Sequence, residues 1–339
     1  MTAAPRVVYT DPAWAVDELG RFDASRAGVE REVFGSDISL ELGPYDGGYR
    51  TGVDLFQAVQ GAEALVVYRT QVTEELLAAV GPGCRVVARS GVGIDNLNAE
   101  LLRKAGICGF NVPDYCGDEV STHTLALLLA LERGVTVQDR LVRADRWGIH
   151  RGGVPRRTAT CTAGIVGFGR IGRATSRKLQ PFYRQVLAHD PYVPDDVLAG
   201  HGVTGVGSLA ELFASCDAVI LHAALTPETD QLIDASVLAH AKRGSFLVNT
   251  ARGRLVVPEA VLDALEAGRL AGFGSDVFSP EDPNNTPVTR KLLNRDDVVV
   301  SSHRAFLSAE SESSLRRRVA HGVRSVLLHG MAPAEGRVA

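Results

Sequence analysis

The sequence predicts an α/β protein of two doubly wound parallel-sheet domains, and three observations carry that reading. Strand-like and helical segments alternate along nearly the whole chain, the pattern of parallel sheets covered by helices. A glycine-rich strand–turn–helix unit opens only at Thr162, so a separate α/β domain precedes it. At 339 residues and 45% hydrophobic content, the chain can bury two ordinary cores.

In the first domain, apolar β-branched runs place strands at 6–10, 38–42, 64–68, 85–89 and 107–111. Helical spacing lies between them, notably at 73–80 and 99–105. Asn111, Val112 and Pro113 end this section. Asp118 and Glu119 then open a helix whose stretch 125–131 is apolar on every side and is expected to be buried. An amphipathic segment follows in which Val137, Leu141, Ala144 and Trp147 share one face, with Asp139, Arg143 and Arg146 pointing away. The pair, at about 117–149, fits a dimerisation arm or a domain-joining element.

The glycine-rich unit points to a dinucleotide. Residues 162–166 read as a buried strand, Gly167-Phe168-Gly169-Arg170-Ile171-Gly172 fits G-x-G-x-x-G, and 174–182 has helical apolar spacing. Gly167 permits the tight turn, Gly169 lets the backbone approach a pyrophosphate, and Gly172 lets the helix pack close to the sheet. Helix-terminal N–H groups then meet the anion. After a strand at 186–189 comes Asp190, 18 residues beyond Gly172 and placed to accept from the adenosine ribose. An acid there repels a 2′-phosphate, so NAD(H) is favoured over its phosphorylated form.

Strands at 218–222, 245–249, 272–277 and 298–301 complete this second sheet. A last helix at 308–329 lies beyond them and crosses back to the first domain, which becomes discontinuous: 1–112 with 306–339, enclosing 113–305. The tail 330–339 has no core pattern and reads as frayed.

A net charge of −4 with mixed signs supplies no basic face for nucleic acid and no polybasic anchor for a membrane. The N-terminus runs into a strand without a signal-peptide core, so a cytoplasmic location is expected. Cys84, Cys108, Cys116, Cys161 and Cys216 are scattered and lack metal spacing, which reads as reduced thiols and no metal site.

Ligands of an open parallel sheet sit beyond the carboxyl ends of its strands. Arg252, Glu281 and His303 each follow a separate strand there. Beside a dinucleotide, such a set suits the reduction of a carbonyl, which needs a hydride on carbon and a proton on oxygen. Histidine holds a donatable proton near neutrality, and a hydrogen-bonded carboxylate favours its protonated form. Arginine, always charged and forked, can hold a substrate carboxylate or the carbonyl oxygen and orient the carbon toward the hydride.

These features resemble the D-2-hydroxyacid dehydrogenase family. The resemblance rests on the glycine loop with His189-Asp190-Pro191-Tyr192, on Asn249-Thr250-Ala251-Arg252-Gly253, and on the runs from Asp276 to Glu281 and from Ser301 to Ala305. The runs from Arg89 to Asn96 and from Asn111 to Val120 are most similar to bacterial relatives of C-terminal-binding protein. The resemblance covers nearly the whole chain. It implies a homodimer, a Rossmann NAD-binding domain inserted in a discontinuous flavodoxin-like substrate domain, and Arg252, Glu281 and His303 as the catalytic set. The steps of 29 residues from Arg252 to Glu281 and 22 to His303 agree with the family order. By the same resemblance Phe168, Arg170 and Ile171 border the pyrophosphate, His222, Thr226 and Thr250 join the cofactor site, and Asp276 faces the nicotinamide carboxamide. Arg69, Arg89 and the Gly91-Val92-Gly93 backbone look like the substrate's anion-binding loops, and Phe306 covers the substrate.

Three departures from the family pattern stand out: Ser302 in place of proline before the histidine, Ala224 in place of proline, and Val257 in place of an acid. The first loosens the loop presenting His303. By the same resemblance Glu281 argues against formate dehydrogenase, and the expected absence of a C-terminal regulatory domain argues against the long, serine-regulated phosphoglycerate dehydrogenases. The reading is an NAD-dependent oxidoreductase interconverting a 2-keto acid and its (R)-2-hydroxy acid. Three arginines exceed the need of one carboxylate, so a second anionic group on the substrate is expected. The alternatives are an NAD(H)-sensing, corepressor-like binding protein and phosphite dehydrogenase.

Overall fold

The structure, a computed structural model, describes residues 4–17, 19–43 and 53–339; the first three residues, read above as preceding a strand, lie outside them. The chain divides into two compact units, 1–115 with 308–339 and 116–307.

Unit 1 begins β1 (Arg6–Tyr9), α1 (Gly28–Phe34), β2 (Ser39–Leu42), α2 (Val53–Val59), β3 (Ala64–Val67), α3 (Glu74–Val80), β4 (Val86–Arg89), α4 (Ala99–Lys104) and β5 (Cys108–Phe110). Unit 2 continues with α5 (Gly117–Glu132), α6 (Val135–Arg143), β6 (Thr162–Val166), α7 (Arg170–Leu179), β7 (Gln185–His189), α8 (Asp195–Gly200), β8 (Thr204–Gly205), α9 (Leu209–Ser215) and β9 (Ala218–Leu221). It ends with α10 (Ala235–Leu238), β10 (Ser245–Asn249), α11 (Pro258–Glu266), β11 (Leu270–Ser275), α12 (Pro287–Leu293) and β12 (Val298–Val300); α13 (Ala309–His329) then returns to unit 1.

In unit 1 the strands are parallel in the order β2-β1-β3-β4-β5, a flavodoxin-like arrangement. The inner strands β3 and β4 are buried along their whole length, which is why they read as unbroken apolar runs rather than alternating ones. One face of the sheet packs Phe34 and Phe110 with Leu315, Val319 and Val323 of α13. The other packs Leu55, Val59, Leu76 and Leu102 from α2, α3 and α4. Gly322 lets α13 reach the sheet, since a Cβ there would lie 2.5 Å from the Phe110 ring.

Unit 2 holds seven parallel strands in the order β12-β11-β10-β9-β6-β7-β8. The order reverses between β6 and β9, a switch point at which ligands of such sheets bind. On β11, Gly272 and Gly274 present bare backbone to α5: a Cβ on either would lie 3.0 and 3.2 Å from Leu131. Helix α5 is thereby seated directly on the sheet.

Several expectations need correction. The tail is not frayed: Gly109 and Asn111 donate to Ala339 and Gly336, and Val338 donates back to Gly109, so the tail pairs antiparallel with the open edge of β5. The unpaired backbone groups of an edge strand supply the reason. Helix α7 starts at Arg170, because the second half of the glycine motif is already its first turn. Strand β8, only two residues long, has too little pattern to read. Within the chain, α5 is not covered all round; Leu125, Leu129 and Leu131 are half-buried and Ala126 is exposed. Helix α6 stops at Arg143, and Trp147 stands 80% exposed beyond it. The unit boundaries fall at 115 and 308 rather than 112 and 306. Tyr115 packs on the core of unit 1 and Asp114 pairs with Arg318 at 2.7 Å, whereas Phe306 stands edge-on to His303 in unit 2.

Among the described residues of unit 1, the most deeply buried charge joins α1 to α13. Glu30, wholly buried, accepts from Arg316 through Nε at 2.9 Å and Nη2 at 2.7 Å, and the guanidinium lies 3.8 Å over the Trp14 ring. Removing one partner strands the other charge. Glu30→Ala is expected to cost roughly 3 kcal/mol in denaturant unfolding; a change within error of zero would refute this. In unit 2, His222 after β9 meets Thr175 of α7 at 2.8 Å, and burial pushes its imidazole down to about 3. Because the unfolded value is about 6.5, the unfolded chain binds the extra proton first. The contribution of His222 is complete above about pH 6.5 and is lost as pH falls towards about 3. Thermal melts on that acid range should fall less steeply for His222→Gln than for wild type; parallel curves would remove His222 as a source.

Candidate active site

The cofactor half of the site lies at the β6/β9 switch point. Gly167 has φ +90, and a Cβ on it would lie 2.6 Å from the Ala223 amide nitrogen, so the loops after β6 and β9 touch only because this position is bare. A Cβ on Gly172 would lie 2.3 Å from the Gly167 carbonyl oxygen, while one on Gly169 would meet nothing within 4 Å. The first and third glycines therefore serve the fold, and the second faces open space. Gly169 caps α7 without a side-chain hydrogen bond, which leaves the N–H groups of the first turn for an anion. Asp190 accepts from Phe168 N at 2.7 Å and Tyr192 N at 3.0 Å. A carboxylate has about four acceptor directions, so two remain for ribose hydroxyls. These residues fit NAD.

The side chains predicted around the cofactor divide. Arg170 is exposed and Ile171 half-buried at the start of α7. The Phe168 ring, in contrast, is fully buried and stands edge-on to His201, so it belongs to the core and only its backbone borders the loop. Thr226 is exposed in the loop after β9. Thr250 is buried, its hydroxyl 2.7 Å from Thr124 of α5. Thr124 donates to the Val120 carbonyl at 2.7 Å, so the shared proton comes from Thr250.

The catalytic candidates leave the carboxyl ends of three adjacent strands, β10, β11 and β12, whose last residues are in register as Asn249, Ser275 and Val300. Asn249 shapes the first loop, accepting from Ala251 N and donating to the Arg252 carbonyl. Gly253 brings it against the second loop, where a Cβ would overlap the Phe278 carbonyl carbon at 2.1 Å. Glu281 Oε1 lies 2.5 Å from His303 Nδ1. An ionised carboxylate only accepts, so Nδ1 carries a proton and Nε2 is the nitrogen left for a substrate. Phe306 stands edge-on to His303 at 6.5 Å. Glu281, His303 and Phe306 are brought together, and Arg252 sits on the neighbouring loop.

His303 has φ +52, a conformation costing on the order of 1–3 kcal/mol for a residue with a Cβ. Asp276 holds it there. Its carbonyl accepts from His303 N at 2.7 Å, and its carboxylate, 1% exposed, accepts from Arg304 N at 3.0 Å, Ala305 N at 2.8 Å and Ser301 Oγ at 2.5 Å. The side chain expected to face a carboxamide thus spends most of its capacity on the His303 loop.

The other predicted substrate residues lie in unit 1. Arg69 and Arg89 each place a guanidinium 5.2 Å from the centre of the Tyr68 ring. Arg89 folds across Gly91, where a Cβ would sit 1.3 Å from Nη1. The Val92 carbonyl accepts from Asn111 Nδ2 at 2.5 Å, fixing the Val92–Gly93 backbone. Sequence reasoning missed the clamp behind Arg69: buried Asp11 accepts from the backbone N–H groups of Tyr68, Arg69 and Thr70, and Asn96 donates to the Tyr68 and Thr70 carbonyls. Asp11 follows β1, so the strand-end rule could have found it. His123, which meets Ser301, carries no such signal on its helix.

The chain is similar to known proteins over most of its length. A family model described as the NAD-binding domain of D-isomer specific 2-hydroxyacid dehydrogenase matches residues 125–305. The chain is 34% identical over 301 residues to D-3-phosphoglycerate dehydrogenase of Mycobacterium leprae (strain TN), covering 87% of this chain and 54% of that protein. It thus spans about half the length of the phosphoglycerate dehydrogenases it matches. It is 36% identical over 278 residues to (S)-sulfolactate dehydrogenase of Chromohalobacter salexigens, covering 80% of this chain and 87% of that one. Among solved structures, D-lactate dehydrogenase from Aquifex aeolicus, complexed with NAD and lactic acid, aligns with TM-score 0.83 and 25% identity over 95% of both chains. With the matched family model covering more than half of its length, this chain belongs to the D-isomer specific 2-hydroxyacid dehydrogenase family.

Proposed function

We propose that the protein is an NAD-dependent dehydrogenase interconverting a 2-keto acid and its (R)-2-hydroxy acid, working as a cytoplasmic homodimer. The observation that carries the reading is the Glu281–His303 pair at 2.5 Å, on the loops beside Arg252 and beyond a dinucleotide loop in the same sheet. Bound NADH supplies a hydride to the substrate's C2. Arg252 binds the substrate carboxylate and orients that carbon. His303 delivers the Nε2 proton to the forming alkoxide, and Glu281 stabilises the imidazolium that precedes it. In the oxidative direction His303 takes the hydroxyl proton back.

The substrate we propose carries a second anionic group. Arg69 and Arg89 support this, flanking one ring at the end of the unit 1 sheet. The names of two similar enzymes, acting on phosphoglycerate and sulfolactate, point the same way. The homodimer rests on the apolar surface of α6 and the segment after it: Val135 is 56% exposed, Trp147 80% and Ile149 85%. Residues of this kind cluster at interfaces between subunits. The cytoplasmic location rests on the cysteines being scattered along the sequence without the spacing of a disulfide framework.

NADH oxidation with a panel of 2-keto acids tests the reading. Turnover with a keto acid is expected, and His303→Ala should lower it by about 10²–10⁴ while NADH still binds. NADH binding without turnover on any keto acid would favour a binding module, and NAD reduction by phosphite would favour phosphite dehydrogenase. Dianionic keto acids are expected to exceed pyruvate in kcat/KM; equal values would refute the second anionic group. Trp147→Glu is expected to shift the protein from dimer to monomer in sedimentation, and a monomeric wild type would refute the dimer.

A further inference from the structure

Ser301 Oγ lies 2.5 Å from Asp276 Oδ1 and 2.8 Å from His123 Nε2. A hydroxyl has one proton, and a carboxylate can only accept. Ser301 therefore donates to Asp276 and must accept from His123, so the proton of His123 sits on Nε2. The imidazole is also 3.7 Å from Asp276 Oδ1. The chain His123–Ser301–Asp276 thus ends on Asp276, whose carboxylate receives Arg304 N and Ala305 N and whose backbone carbonyl receives His303 N. His123 belongs to α5, which is pinned to β11 over Gly272 and Gly274.

We infer that His123 is a positioning residue: its Nε2–H orients the Ser301 hydroxyl onto Asp276 and so fixes the loop that presents His303 at its left-handed backbone angle. The loop has Ser302 where the family pattern has proline, so its rigidity comes from hydrogen bonds anchored in α5 rather than from a ring in the backbone. In His123→Leu the Ser301 oxygen loses its donor and the hydroxyl is free to rotate off Asp276. The inference rests on the dehydrogenase reading for its kinetic consequence, though its hydrogen-bond direction stands apart from turnover.

The test has two arms on the full-length protein. In the first, nitrogen NMR of histidine-labelled protein, with His123→Gln used to assign the resonance, reads the state of His123 without any substrate. A proton on Nε2 is expected, and a neutral ring protonated only on Nδ1 would overturn the inference. The second arm compares His123→Leu, His123→Gln and Ser301→Ala on the best keto acid of the panel. The Leu and Ala variants should lose tenfold to a hundredfold in kcat, on the order expected for a misplaced catalytic group, with KM and the NADH dissociation constant within about threefold of wild type. Gln keeps an N–H donor and should recover most of the loss. An unchanged kcat in the Leu and Ala variants, or Gln as slow as Leu, would overturn the inference. If wild type turns over no keto acid, the dehydrogenase reading fails, and the first arm alone decides the hydrogen-bond direction.

Discussion

The buried carboxylate of Asp276 is the constraint on which the candidate site depends. A charge removed from water costs several kcal/mol unless every acceptor direction is used well. Here the donors come from the chain itself: the Ser301 hydroxyl and the Arg304 and Ala305 amides. The Asp276 backbone adds a bond to Asn249 on the β10 side and one from His303 on the β12 side. One residue therefore ties three neighbouring strand ends together. The loop cannot relax the backbone of His303 without leaving a carboxylate buried and short of donors.

The same device recurs at other strand ends. Asp11 after β1 takes the amides of the loop after β3, Asp190 after β7 takes an amide of the loop after β6, and Asp217 before β9 takes the Thr162 amide that begins β6. A parallel ladder stops where strands diverge, leaving amides whose partners have ended, and the short aspartate side chain reaches an adjacent strand without a long flexible stem. Lys242 and Arg156 both reach Asp217 at 2.9 Å and, with the Thr162 amide, hold its carboxyl below the usual range against the cost of burial. Asp190 differs in that it takes one amide from the loop after β6 and one from its own loop, which leaves acceptor directions for the ribose proposed there.

Helix α5 works on two sides at once. Its inner side lies on the glycines of β11, delivers Thr124 to Thr250, and sets His123 beside Ser301. Its outer residues, with those of α6, remain partly uncovered in the single chain. An apolar helix that a single chain covers only in part is the kind of surface that the proposed homodimer would bury. The burial expected from the apolar stretch 125–131 is met only in part within the chain.

Much of this protein is legible in its residues alone. Parallel strands buried on both faces must be continuous apolar runs, so both sheets stand out in the sequence, and glycines that spare a backbone collision cannot be other residues, so Gly167 and Gly172 declare the nucleotide loop. The order Arg252, Glu281, His303 follows from the strands that carry them. What sequence could not supply is everything set by distance across the chain: that the tail pairs with β5, that Phe168 turns inward while Gly169 stays open, that Thr250 faces α5, and that His123 reaches Ser301 across 178 residues. Periodicity reports which face of an element is apolar, because burial acts on every residue of that face. A hydrogen bond joins two particular atoms, and only the folded backbone decides which two come within reach.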